Sequence, residues 1–352
     1  MSERDTRTVA IACQGGGSHT AFTAGVLREI LESSPPEYTI TSLSGTSGGA
    51  ICATIVWDGL RRGEPDRALD RLESFWADIA ASSPLERYSN TLSVWSSRLT
   101  EEFTTGTFNV SPYLNPFTSA FVREFRDTID QHIQFEDPVP VAPPHLFIGS
   151  VNVESGSFVV FTDNENGSTP LKIRDDQTDE TAPLQDGVKA LLASAAIPQL
   201  FRAVEIEGVT GEREGHWDGQ FSQNPPIRQF TMPDEVDDKP DEIWIVRLFP
   251  RETADIPTSL GDIVDRRTEL SGNLSLQQEI HMIESINDLI AEGVIDDEAY
   301  KHIELKEIEL GIDQDRHSKL NTDPSFLQML MDRGTAAASD FWTTDGVRNE
   351  SD

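Results

Sequence analysis

Apolar residues dominate TVAIAC (8–13), return in YTITSLS (38–44) and again in DEIWIVRLF (241–249). Runs this short, bounded by turn residues, predict buried strands. Between the first two the spacing becomes helical. Phe22, Val26, Leu27 and Ile30 share one face of SHTAFTAGVLREILES (18–33), and Pro35-Pro36 stops it. GGAICATIVWDGL (48–60) reads as a second, buried helix closed by Gly63 and Pro65. Two strand–turn–helix units in succession predict a parallel sheet covered by helices.

Further along, residues 66–135 read as mostly helical with a Ser/Thr-rich break near 89–110, and PVPVAPPH (138–145) as a connector. HLFIGSVNV (145–153) and SFVVFT (157–162) predict a hairpin across ESGS. Residues 163–185 read as a polar, acidic loop, and DGVKALLASAA (186–196) as a helix ended by Pro198. Long helices are expected over about 258–292, a strand near 302–310 and a last helix near 324–342. No repeat and no low-complexity linker divides the chain, so residues 1–352 are read as one α/β domain.

Charge changes the picture more than composition does. The 352 residues hold 61 acidic and 28 basic side chains, a formal charge of −33. A basic face for phosphate neutralisation is lacking, which argues against nucleic acid as a partner. So high a charge usually marks disorder, yet the apolar periodicity persists throughout. Lysine occurs only at Lys172, Lys189, Lys239, Lys301, Lys306 and Lys319. An acidic, lysine-poor surface resembles that of proteins from salt-accumulating halophiles, haloarchaea above all. There a Debye length of about 3 Å at ~1 M salt screens the self-repulsion. Cys13 and Cys52 lie in apolar runs and read as buried thiols. Neither they nor the scattered histidines have metal-ligand spacing, so no metal or other cofactor is expected. No window is long and apolar enough to span a membrane, and MSERDTRTVAIAC lacks the regions of a signal peptide. A cytoplasmic protein is expected.

The sharpest local feature is one serine among glycines. Gly45-Thr46-Ser47-Gly48-Gly49 stands between a predicted strand and a predicted helix. A nucleophile elbow turns so tightly that its neighbours collide unless they are glycine, which would give Gly45 and Gly49 a supporting part. The N–H of Gly48, at a helix N-terminus, would then donate to an oxyanion. A tight structural turn is the plain alternative. Upstream, Gly15, Gly16 and Gly17 follow the first strand. A dinucleotide-binding turn would need glycine where Thr20 stands and an acidic residue ending the second strand, and no lysine suits a P-loop. The other reading makes the backbone N–H groups of Gly15, Gly16, Gly17 and Ser18 an oxyanion hole. One helix and one strand separate the two turns. They would lie side by side at the carboxyl ends of adjacent parallel strands. A non-catalytic phosphate-binding module is the competing function class.

A nucleophilic serine needs a base. His281, His302 and His317 could serve in α/β-hydrolase order, yet none has a loop signature. In HWDGQFSQNPP (216–226), Asp218 is followed by Gly219 and then by Asn224-Pro225-Pro226. This suggests that Asp218 takes the Ser47 proton directly, with Gly219 supporting its loop. His216 is read as pointing away from Asp218, with a structural part. Burial beside Trp217, Phe221 and the proline pair would lift Asp218 from an ordinary value of about 3.9.

These blocks, in this order, resemble the patatin-like phospholipase family. GGGSHTAFTAGVL matches its glycine-rich motif, GTSGG its elbow and Asp218-Gly219 its Asp-Gly-Gly/Ala motif. LASAAIPQLF (192–201), NPP and LFIGSVNVESGSFVVF also look like family segments. The resemblance covers about residues 7–250, leaving a C-terminal helical extension over about 255–345. It implies a three-layer α/β/α sandwich with a mostly parallel central sheet, a Ser47–Asp218 dyad and no catalytic histidine. His19 and Thr20 stand where the family usually has Arg or Lys and then Gly, and Gln220 replaces a small residue. A cation beside the oxyanion turn then exists only when His19 is protonated, or is absent. The implied activity is acyl-ester hydrolysis through an acyl-Ser47 intermediate. Phospholipid, lysophospholipid, acylglycerol and storage polyester (polyhydroxyalkanoate) remain open as substrates. Peripheral contact with a membrane or a storage granule goes with them.

Overall fold

The computed structural model describes residues 6–81, 111–135, 144–163, 171–231 except 176, 179 and 199, 239–295 except 254 and 255, 300–311 and 316–344. Its strands are β1 (Arg7–Cys13), β2 (Tyr38–Gly45), β3 (His145–Asn152), β4 (Phe158–Asp163), β5 (Leu171–Asp175), β6 (Thr181–Leu184), β7 (Val204–Glu207), β8 (Arg213–Asp218), β9 (Glu242–Arg247) and β10 (Glu304–Glu309). Its helices are α1 (Thr20–Ser33), α2 (Gly48–Arg61), α3 (Pro65–Ala81), α4 (Pro116–His132), α5 (Gly187–Ser194), α6 (Leu260–Ala291) and α7 (Pro324–Thr344).

The strands form one sheet in the order β10-β9-β1-β2-β3-β4-β5-β6. From β10 to β3 every neighbour is parallel, and the antiparallel strands β4 to β6 continue the sheet. Along β1, Val9, Ile11 and Cys13 enter one hydrophobic cluster, while Ala10 and Ala12 enter another. Along β9, Trp244 and Val246 go with the first and Ile243 and Ile245 with the second. Successive strand residues face opposite sides, so both faces of the sheet are covered. That is why these segments show no polar alternation in the sequence. Helices α1, α2, α3 and α7 cover the first face, and α6 covers the second through Leu276, Ile280 and Ile283. Cys13 and Cys52 are free and buried in the first cluster.

Two expectations change. Residues 163–185 are not all loop, because β5 and β6 add two strands there. In β5 only Leu171 and Ile173 are fully buried, and charged residues flank them, so the period-2 signal is two residues long. The segment read as a loop at 216–226 begins as the end of β8. The Ser/Thr-rich break near 89–110 lies outside the described residues. The strand expected near 302–310 is β10, which pairs with β9 in the main sheet, and α7 brings Trp342 into the core. Trp342 meets Trp244 edge to face at 5.1 Å. Trp342→Ala should therefore lower stability by about 3–5 kcal/mol in denaturant titrations. A loss below about 1 kcal/mol, the low end of core substitutions, would show that α7 is dispensable to the core.

One edge of β3 positions the site. Its first half pairs with β2, ending at Gly45 opposite Ile148. Its second half pairs with β8, whose last residue Asp218 lies opposite Ser150. β2 runs parallel to β3 and β8 antiparallel to it, so their carboxyl ends approach head-on and stop on either side of Gly149. Both chains must leave the sheet there, one through Ser47 and the other at Asp218.

Candidate active site

Ser47 leaves β2 and caps α2 with φ 55° and ψ −130°. It is the sole non-glycine residue at positive φ among the described residues. A side chain held there costs about 1–3 kcal/mol and persists only where its surroundings over-determine it. The surroundings do so. The Ser47 N–H donates to Ser194 Oγ at 2.9 Å, and that hydroxyl donates to the Gly149 carbonyl at 2.7 Å. Thr46 Oγ1 donates to the Gln223 carbonyl at 2.7 Å, and the Gly49 N–H turns back to Thr46 O at 2.9 Å. A Cβ on Gly45 would lie 2.6 Å from the Ala50 backbone, and one on Gly49 2.4 Å from Cys13 O. Sterics alone require glycine on both sides of the serine.

Asp218 closes the other side of Gly149 and is 1% exposed. The Ser47 hydroxyl is close enough to favour the charged form of its carboxyl. Its Oδ1 accepts the Gln220 N–H at 2.8 Å, and its own N–H donates to Ala196 O at 3.0 Å. Burial pushes its pKa from 3.8 up to about 7, against the smaller downward pull of those two donors. Phe221, expected to help bury it, is exposed. His216 is corrected too. Strand residues two apart share a side, so it does not point away from Asp218. It packs against Phe161 at 5.9 Å with both ring nitrogens unpartnered among the described residues, and burial lowers its pKa to about 4.

As a base, Asp218 would act only when deprotonated. Below about pH 7, kcat/KM for an uncharged ester should fall roughly tenfold per unit, and above it level off. Stability follows the opposite sign. Between the ordinary value of 3.8 and about 7 the folded chain holds a proton that the unfolded chain has lost. Stability therefore declines as pH rises through that window, and the penalty is complete above it. Glu279, buried and raised from 4.5 to about 7 by desolvation, adds to the slope with the same sign. Asp218→Asn should remove its share of the slope, read from melts across pH 4 to 8, a window spanning both values.

Gly15, Gly16 and Gly17 lead from β1 into a 3-10 turn over Gly17–His19. A Cβ on Gly15 would lie 2.6 Å from Thr46 O and 3.0 Å from Ser47 Cβ, so the two glycine turns touch. The Gly15 N–H is not aimed at a substrate: it donates to Asn224 Oδ1 at 2.7 Å. That removes Gly15 from the expected oxyanion donors and makes it the joint between this turn and the loop after Asp218. No acceptor among the described residues takes the N–H of Gly16, Gly17 or Gly48. Gly17 has φ +60°, and a Cβ there would lie 2.3 Å from Lys319 O.

Over residues 11–231 the sequence matches the family described as patatin-like phospholipase. The chain belongs to the patatin-like phospholipase family. No curated protein matches it. Among solved structures it is similar to VipD from Legionella pneumophila at 14% identity and TM-score 0.36, covering 94% of this chain and 67% of that one. It is similar also to the ExoU–SpcU complex of Pseudomonas aeruginosa at 14% identity and TM-score 0.29, covering 98% of this chain and 61% of that one.

In this patatin-like chain an apolar cavity of about 130 Å³ opens beside Ser47. Gly17, Ser18 and Gly48 stand on its polar side, and Ile51 with the rings of Phe75, Trp76, Phe121, Phe125 and Phe201 forms its walls. His19 adds no charge. It is buried, its Nε2 meets Ser318 Oγ at 2.7 Å, and burial together with Lys319 drives its pKa to about 3. Lys319 itself lines the cavity, with Nζ 4.2 Å from the Phe249 ring centre. Lys319, three hundred residues downstream of His19, is the one cation among the described residues lining the cavity. Glu279 had no sequence signal at all. From α6 it accepts the N–H groups of Ile227 at 2.7 Å and Arg228 at 3.0 Å, bracing the loop that carries Asn224.

The histidines raised as alternative bases are placed elsewhere. His281 lies on the α6 surface 3.8 Å from Glu284, and His302 is exposed. The side chain of His317 lies outside the described ones. Among the described residues no helix is long and apolar enough to cross a membrane.

Proposed function

We propose that this patatin-like chain is a serine acyl-ester hydrolase with Ser47 as nucleophile and Asp218 as its base. The observation that carries the reading is a serine held at positive φ next to a buried carboxyl poised near neutrality, beside an apolar cavity. The ester carbonyl sits over Ser47 with its acyl chain among the aromatic walls. As Asp218 takes the hydroxyl proton, Ser47 Oγ bonds to the carbonyl carbon. The N–H groups of Gly48, Gly16 and Gly17 receive the negative oxygen, and the amino end of α2 favours its charge. Asp218 returns the proton to the departing alkoxide, leaving acyl-Ser47. Water then repeats the sequence, Asp218 taking its proton and restoring Ser47 as the carboxylic acid leaves. Ser18 lines the same side of the cavity, and Gly219 lets β8 turn against Gly149 O, from which a Cβ would lie 2.4 Å.

A panel of phospholipid, lysophospholipid, triacylglycerol, p-nitrophenyl esters and polyhydroxybutyrate granules tests the reading, run in multimolar salt. Hydrolysis of single-chain esters is expected, and polymer release from the granules would favour the storage-polyester reading. A folded protein that cleaves none of them would leave the phosphate-binding turn as the better account. Gly17→Ala should cost about 10²–10³ in rate, the scale of one oxyanion donor, because its Cβ must displace the turn. Normal turnover in that variant would move the oxyanion hole elsewhere.

A further inference from the structure

Behind the wall of the cavity beside Ser47 lies a second one, of about 370 Å³ against about 130 Å³ for the first. Phe125, Ala195 and Phe201 line both, so one layer of side chains separates them. Phe121 and Phe125 stand one turn apart on α4 with their rings stacked at 6.0 Å, and Phe201 meets Phe121 at 5.3 Å. The segment carrying Phe201 is held on both sides. The Phe201 N–H donates to Ile197 O at 3.0 Å, and the next side chain, Arg202, donates to the Pro112 and Tyr113 carbonyls at 3.1 Å. The Tyr113 hydroxyl accepts the Ala203 N–H at 3.2 Å. The partition is a braced wall.

Volume decides what the first cavity takes. A cavity of ~150 Å³ holds one benzene ring, about six carbons. The space beside Ser47 is slightly smaller. Each methylene that leaves water to lie among the rings adds to binding. A methylene that reaches the partition must stay in water or push a ring out of a packed wall, and neither adds anything. The larger space behind has apolar walls of its own at Val122, Leu192 and Val204, between charged groups. The rings close it to a chain that starts at Ser47.

We propose that the site selects short acyl groups, of about four to six carbons, and that the partition of Phe121, Phe125 and Phe201 is the length filter. Loss of one ring at the shared wall joins the two cavities and admits a longer chain. The proposal rests on the ester-hydrolase reading of Ser47 for its substrate; the filter itself rests on the two cavities and the wall between them.

Straight-chain p-nitrophenyl esters of about two to ten carbons, lengths that bracket the cavity, test the proposal with the full chain. For the wild type, kcat/KM should climb about fourfold per methylene, the worth of one buried CH₂, up to about six carbons and no further. In Phe201→Ala the climb should run on, raising the ratio of the longest ester to the four-carbon one by about 10², with circular dichroism unchanged. Phe125→Leu, a milder change on the facing helix, should move that ratio the same way. A wild-type climb that continues past about eight carbons overturns the filter. An unmoved break in folded Phe201→Ala and Phe125→Leu overturns the part given to the partition. Titration calorimetry with straight-chain primary amides of the same lengths reads the filter without turnover. Their affinity should stop rising at the same length, and a steady rise overturns the filter. Should no ester be cleaved while the amides show the break, the hydrolase reading fails alone and the filter stands.

Discussion

Ser47→Ala and Asp218→Asn should each reduce ester hydrolysis by about 10⁴-fold or more, the scale at which a nucleophile or its base is removed, with circular dichroism unchanged. The two changes act on one proton transfer, so the double variant should lose little beyond either single one. The fold survives because neither residue belongs to the hydrophobic clusters of the sheet. A separate consequence concerns strain. Ser47→Gly should be more stable than Ser47→Ala by about 1 kcal/mol, since glycine alone adopts positive φ without cost. If Asp218→Asn kept most of its activity while replacement of a histidine removed it, the direct Ser–Asp transfer would be wrong.

The second large effect is set by charge. A formal charge of −33 opposes compaction in dilute buffer, and 28 basic residues cannot offset 61 acidic ones. Part of the basic complement is already committed: Arg61, Arg62 and Arg71 all reach the buried Asp58. Raising KCl to ~1 M shortens the screening length to about 3 Å and removes most of the surface repulsion. The hydrolase should be folded and active above roughly 1–2 M salt and lose both properties on dialysis to low ionic strength. Thermal melts over about 0.1–4 M KCl read this directly, and a flat midpoint would sink the salt-adapted reading of the composition.

Much of the site was legible because its demands are local. A serine forced to positive φ calls for glycine at Gly45 and Gly49, and a turn opening a helix calls for Gly15, Gly16 and Gly17; both leave marks in ten residues. The parallel sheet was legible through the apolar runs of β1, β2 and β9, which are long because both faces are covered. β5 and β8 left no such mark. The first shows two apolar residues among charges, and the second mixes Gly215, His216 and Asp218 with no alternation. Burial of Asp218 was expected but from the wrong neighbours: Phe221 is exposed, and the burial arises where β2 and β8 meet end to end on β3. Gly15 too was read for the wrong partner, since its N–H is taken by a side chain 209 positions away. Lys319 and Glu279 reach the site from segments that local pattern cannot connect to it.

The central claim is that Ser47 is the nucleophile and Asp218 its base. A fluorophosphonate probe followed by peptide mass spectrometry tests it most directly. In salt that keeps the chain folded, one adduct is predicted, on the peptide containing Ser47. Its rate of formation should follow the deprotonation of Asp218, rising to a plateau above about pH 7. Asp218→Asn should slow labelling severely, and Ser47→Ala should abolish it. An adduct on another residue, or labelling of Ser47 that Asp218→Asn leaves untouched, would contradict the account.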